Sequence, residues 1–232
     1  MMSLHAVVAF VLVIAQEKNE AEELFKKMEE KLAKAKTVQV KGSGSSEMSE
    51  GEMKAATVLL WETGNKARLD TELTIPGMGD IKGLYVSDGK HAAARGPESK
   101  DGKTPEKLTS DLVQSWARGG GFFVIMWIEA ATFKDENHPK RAQVPKPVGF
   151  KMGPKEKVGD REAQKIEYAL TNIEAEDVSM ALWIDPETFL PVKREMRGFH
   201  GKEKLTYFET YSDLKLDEKI DAAKFELPKD TK

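Results

Sequence analysis

The sequence predicts a mainly β (α+β) protein: one domain built on a single, strongly curved antiparallel sheet wrapped over a few helices. Three observations carry this. Short segments of alternating polarity recur on both sides of the chain's middle, separated by Gly, Pro, Asn and Asp turns. Several of these segments, notably residues 53–61 and 178–184, are apolar on both faces, so neither face is simply wet. Between the two runs of strands lies a helical insert that holds the most apolar stretch after the N-terminus, Phe122-Phe123-Val124-Ile125-Met126-Trp127-Ile128. That run is too short to span a bilayer, which takes about 20 residues, so it fills a core or lines an apolar cavity.

Residues 6–15 (AVVAFVLVIA) form an apolar decad, and Val13-Ile14-Ala15 before Gln16 has the small-residue pattern of a signal-peptidase site. Residues 1–15 therefore read as an export signal, and 16–232 as the mature domain, working outside the cytoplasm. Met1 to His5 carries no Lys or Arg, which is unusual for such a signal.

Residues 19–36 read as a helix. Asn19 caps it, and Leu24, Phe25, Met28, Leu32 and Ala35 make its apolar stripe. Glu22 with Lys26, Glu23 with Lys27 and Glu30 with Lys34 stand four residues apart on a solvated face. Strands are expected at 37–41, 53–62 and 67–75, with turns at 42–46, 63–66 and 76–80. A hairpin follows, Leu84-Tyr85-Val86-Ser87-Asp88-Gly89-Lys90-His91, turning at Asp88-Gly89.

Thr104-Pro105-Glu106-Lys107 reads as a helix start. Leu108, Leu112 and Trp116 form one stripe, and Gly119-Gly120-Gly121 ends the helix. The whole insert is expected over 104–132. Residues 134–147 hold Pro139, Pro145 and Pro147 and read as an irregular, locally basic loop that could make transient contact with an anionic membrane surface. Strands resume near Val148 and continue through 162–170, 178–184, 190–198 and 202–213. The tail around 217–221 reads as a loop or one helical turn, with Phe225 and Leu227 as anchors. About ten strands result, and the two runs, 37–95 and 148–213, are expected to join in one continuous sheet.

Composition excludes several chemistries. With no cysteine there is no disulfide, thiolate or acylated-cysteine anchor. His5, His91, His138 and His200 show no metal-ligand spacing. The triple glycine lacks the Lys-Ser/Thr of a phosphate loop, and no Gly-x-Ser-x-Gly elbow occurs. A net charge of −3 carries no nucleic-acid signature. No enzyme and no cofactor is expected, and a monomer is.

Val86-Ser87-Asp88-Gly89-Lys90, Leu182-Trp183-Ile184-Asp185-Pro186 with Leu190-Pro191-Val192, and Tyr211-Ser212-Asp213-Leu214 with Phe225-Glu226-Leu227-Pro228 together resemble the periplasmic outer-membrane lipoprotein carrier family, the LolA-like proteins. The resemblance spans the mature chain. It implies an unclosed, curved barrel with the N-terminal helix and a helical lid on its concave side. It also implies a cell-envelope protein that binds lipid, or the acyl chains of lipoproteins, between lid and sheet. On that basis Trp116, Phe122, Phe123, Met126 and Trp127 are the candidate ligand-binding residues. The fold also resembles that of an envelope-stress regulator, which implies a second reading: a module binding a membrane-anchored protein partner. The carriers share an Arg-Pro turn followed by Phe, which handles cargo; here that place reads Thr63-Gly64-Asn65-Lys66-Ala67-Arg68.

Overall fold

In the computed structural model, residues 19–48, 51–134, 139–173, 177–200 and 203–229 are described. The export signal expected at 1–15 lies outside them.

The described residues open with α1 (Glu20–Lys34). Asn19 caps it as expected, its side-chain oxygen accepting from the N–H groups of Ala21 (3.1 Å) and Glu22 (3.2 Å). Ala21, Phe25, Met28 and Leu32 form the buried stripe. Then come β1 (Thr37–Met48), β2 (Gly51–Glu62), β3 (Lys66–Ile75), β4 (Gly79–Asp88), β5 (His91–Arg95) and β6 (Lys100–Lys103). The insert consists of α2 (Leu108–Gly119) and α3 (Gly121–Phe133), followed by a 3-10 turn at Pro139–Ala142. The second run is β7 (Lys146–Val158), β8 (Arg161–Thr171), β9 (Ser179–Ile184), β10 (Pro191–His200) and β11 (Glu203–Leu216), and a 3-10 turn at Ala222–Phe225 follows.

All eleven strands belong to one antiparallel sheet in the order β6-β5-β4-β3-β2-β1-β11-β10-β9-β8-β7. The two runs meet where β1 pairs with β11, with Val38 opposite Leu216 and Ser46 opposite Tyr207. The sheet is open, because β6 and β7 are its two edges. Its curvature follows from what the helices touch. The Tyr168 hydroxyl on β8 donates to Arg118 O on α2 at 2.6 Å. The N–H of Thr109 on the same helix donates to the Asn65 side chain, next to β3, at 3.1 Å. Strands from opposite halves of the sheet can reach one helix only if the sheet curls round it.

Three local expectations are corrected. Residues 42–46 are not a turn but the middle of β1. Gly44 is there because a Cβ would collide with the Tyr207 hydroxyl that crosses the strand. The helix expected from Thr104 begins at Leu108. Lys100–Lys103, to which the sequence reading assigns no strand, forms β6, so the described residues hold eleven strands. The Asp88-Gly89 turn is as expected: Asp88 Oδ1 accepts from the N–H groups of Lys90 and His91, each at 2.7 Å.

The two-faced apolar strands have a plain explanation. On the concave side Ala55, Leu59 and Trp61 join one large core with all three helices. On the convex side Leu60, with Val58, is covered by Ile220 and Phe225 from the C-terminal segment. A second convex cluster joins Trp183, Ala163 and Val192. Lys193 lies over the Trp183 ring at 4.4 Å, and the indole N–H donates to Glu156 at 2.9 Å. Most apolar residues of the convex face are covered locally, with Phe208 left partly exposed, and the larger apolar core lies inside the curve.

Candidate functional site: an apolar chamber beneath the helical insert

The site is built on the junction of α2 and α3. The triple glycine does end α2, but α3 starts at once, with only Gly120 between them at φ 84°. Two buried charges from the sheet hold this junction. Arg194 on β10 donates to the carbonyls of Trp116 (2.9 Å) and Ala117 (2.8 Å), at the negative end of α2. Glu209 on β11 accepts from the Gly121 N–H (3.1 Å), at the positive end of α3. The Tyr211 hydroxyl links them, accepting from Arg194 at 2.8 Å and donating to Glu209 at 2.6 Å.

Burial raises the Glu209 carboxyl above the ordinary range, although Arg194, the Tyr211 hydroxyl and the Gly121 N–H each favour its ionised form. Burial also opposes the Arg194 charge, but Tyr211, Tyr168 and Glu209 outweigh it and hold the guanidinium charged. A Cβ on Gly121 would stand 2.5 Å from a Glu209 oxygen, so close approach of backbone to carboxylate requires glycine here.

Sequence reasoning missed Arg194 and Glu209. A signal existed: each stands two residues from an inward apolar or aromatic neighbour on its strand, Met196 for Arg194 and Tyr207 and Tyr211 for Glu209. A charge at the inward parity of a strand has to find a buried partner.

The junction aims α3 along the inside of the sheet. Phe122, Phe123, Met126 and Trp127 line one side of a cavity of about 290 Å³. Val178, Met196 and Leu205 face them, and Lys140 and Arg141 stand at its rim. Phe123 and Trp127 are buried, whereas Phe122 and Met126 are half-buried. Trp127 fixes the helix, its indole N–H donating to Ala142 O at 3.2 Å. Trp116 is different. It is 1% exposed and lies in the core, 5.8 Å from the Trp61 ring and 5.1 Å from the Tyr211 ring, outside this lining. The structure thus brings four of the five candidate residues together and leaves Trp116 as core packing, because its ring points from α2 onto the sheet.

The walls are mostly hydrocarbon and aromatic, with Lys140, Arg141 and Gln143 as polar members of the lining. Among the described residues, no cluster of His, Asp and Glu could hold a metal ion. Among the same residues, no helix is long and apolar enough to cross a membrane.

No protein-family model and no curated protein matches the sequence. Solved structures do match by shape. LprF from Mycobacterium bovis is similar over 88% of this chain and 95% of its own, at 10% identity and a TM-score of 0.51. The LolA superfamily protein NE2245 from Nitrosomonas europaea matches over 89% and 97%, at 14% identity and a TM-score of 0.37. The chain has a LolA-like fold. A chain of the Pseudomonas aeruginosa MucA/MucB complex matches over 90% of this chain and 62% of its own, at 12% identity and a TM-score of 0.41. At these identities the likeness concerns the fold alone. The α2–α3 insert lies on the concave side, where the sequence resemblance implies a lid, and Arg194 with Glu209 fastens it to the sheet.

Proposed function

We propose that this protein is an exported cell-envelope protein that binds lipid, or the acyl chains of lipoproteins, in the cavity between α3 and the concave face of the sheet, as a carrier and not as an enzyme. The observation that supports this reading is the cavity itself. Phe122, Phe123, Met126 and Trp127 present apolar surface from the helix, and Met196, Val178 and Leu205 present it from the opposite wall. A chain of methylenes placed there gains about 0.8 kcal/mol for each one buried. A well-packed core would have filled such a space with side chains.

The test is equilibrium binding of a fluorescent fatty acid to the purified chain, together with native mass spectrometry of protein isolated from its own envelope. Saturable probe binding and co-purifying lipid are expected. A probe that fails to saturate, with a stoichiometric protein partner and no lipid in the native extract, would discard acyl binding in favour of a partner-binding module.

A further inference from the structure

We infer that the free edge of β7 is a docking site for an extended, acidic segment of a partner protein, which joins the sheet as an added strand. No residue of β7 lines the cavity described above, so the inference stands apart from the acyl-binding reading.

An open sheet has two edges, and each presents a row of unpaired N–H and C=O groups. Here the two differ. β6 is 4 residues long, and α3 packs on it: a Cβ on Gly102 would stand 3.3 Å from the Phe133 ring. β7 runs for 13 residues. Its first part is occupied or blunted. The Phe150 carbonyl accepts from the Asn19 side chain at 2.9 Å. Pro147 and Pro154 have no N–H to offer. The register with β8 shifts between Val148 and Lys151 and again between Met152 and Lys155. After the second shift the pairing is regular: Lys155, Glu156, Lys157 and Val158 stand opposite Gln164, Ala163, Glu162 and Arg161. The turn between them is Gly159-Asp160, with Gly159 at φ 60°, so Val158 and Arg161 close it. Antiparallel pairs alternate between residues bonded to each other and residues whose main-chain groups point outward. Counted from the turn, Glu156 bonds to β8, and Lys155 and Lys157 turn their main-chain groups to the open edge.

The side chains of this edge decide what the added strand carries. Lys151, Lys155 and Lys157 are exposed along it. The one acid of β7, Glu156, is engaged elsewhere, accepting from the Trp183 indole N–H at 2.9 Å. Lys155 pairs with Glu162 at 3.2 Å, but both side chains are more than half exposed, and such a pair holds weakly. These charges oppose a second copy of this chain as the occupant, because pairing β7 with β7 brings two sets of lysines together. Lys155 and Lys157 stand two apart and share one face, so alternate acids of an added strand stand opposite them. The main chain of that strand satisfies the outward groups of the same two residues.

The experiment uses the full chain and a fluorescent peptide that alternates Glu and Val, read by polarisation and by amide hydrogen exchange. Saturable binding is expected, with exchange slowed at Lys155 and Lys157. The same peptide N-methylated at every amide, which keeps the charge and removes the donors of the ladder, should bind at least tenfold more weakly. Lys155→Glu combined with Lys157→Glu should lose the peptide and take up its counterpart alternating Lys and Val, while the fatty-acid probe binds as before. Lys157→Pro removes one outward donor at an edge position that tolerates proline. It should weaken the peptide more than Lys157→Gln, which removes only the charge. If Lys157→Pro does not fold, the charge exchange and the N-methylated peptide decide. Binding indifferent to N-methylation overturns the added strand, and so does uptake of phosphatidylglycerol vesicles without the Glu-Val peptide. A dimer in sedimentation that Lys157→Pro dissolves gives the edge to a second copy and overturns it too. No binding of the Glu-Val peptide overturns the proposal and leaves the lysines as residues that only blunt the edge.

Discussion

Arg194 donates to the main-chain carbonyl of Trp116 at 2.9 Å, across 78 residues of sequence. A strand side chain thus caps a helix that a one-dimensional reading ends with glycine alone. Arg194 and Glu209 sit at opposite poles of two successive helices, so one charge pair sets where α2 stops and in which direction α3 leaves. Removing Arg194 leaves Glu209 buried against the Gly121 N–H without its cation. Arg194→Met should therefore destabilise the protein by about 3–5 kcal/mol, and the double variant with Glu209→Gln should recover part of that loss. Denaturant titration of the two single variants and the double checks both the size and the recovery.

Gly120 has φ 84°, and a Cβ there would collide with Glu209 and Arg194. Gly120→Ala should cost about 1–3 kcal/mol, as expected for a non-glycine residue forced into a strained backbone region. Thermal melts check it. A stability equal to that of the unaltered chain would mean that the junction has room that the geometry denies.

Met126 is half-buried and faces the first cavity. Met126→Asp should weaken fatty-acid probe binding at least tenfold, about 1.4 kcal/mol, with a smaller loss of folding stability. Probe titration beside denaturant titration on the same samples separates the two. The reverse order, unfolding with an unchanged probe signal in the folded fraction, would make Met126 core.

Trp116 should behave in the opposite way. It packs between Trp61 and Tyr211 at 1% exposure. Trp116→Ala should cost about 3–5 kcal/mol, the usual loss for a buried large aromatic. The fraction that remains folded should still bind the probe, because Trp116 does not line the cavity.

Asp185 closes the turn between β9 and β10, its Oδ1 accepting from the N–H groups of Glu187 (2.9 Å) and Thr188 (3.1 Å). Burial would raise this carboxyl, but the two backbone donors outweigh it and hold it below the ordinary carboxylate range. A lowered pKa in the folded state means that the ionised form is favoured by folding. The contribution is complete above the unfolded pKa, near 3.9, and is lost as pH falls through the folded value. Asp185→Ala should cost about 1 kcal/mol near neutral pH, and the gap to the unaltered chain should close as pH drops below about 4. Stability measured against pH for both proteins checks the sign.

Local order was written plainly in the sequence. The Asn19 cap, the stripe of Phe25, Met28 and Leu32, the Asp88-Gly89 turn and the two-residue period of residues 67–75 each express a preference satisfied within a few neighbours. That Phe122, Phe123, Met126 and Trp127 need apolar cover was legible as well, because seven large apolar residues in a row demand it wherever they lie. What the tertiary structure alone decided depends on residues far apart in the chain. Gly44 reads as a turn until Tyr207 crosses it, and Trp116 reads as a cavity residue until Trp61 and Tyr211 close over it. Arg194 and Glu209 are two charges among many until curvature carries both beneath one helix junction.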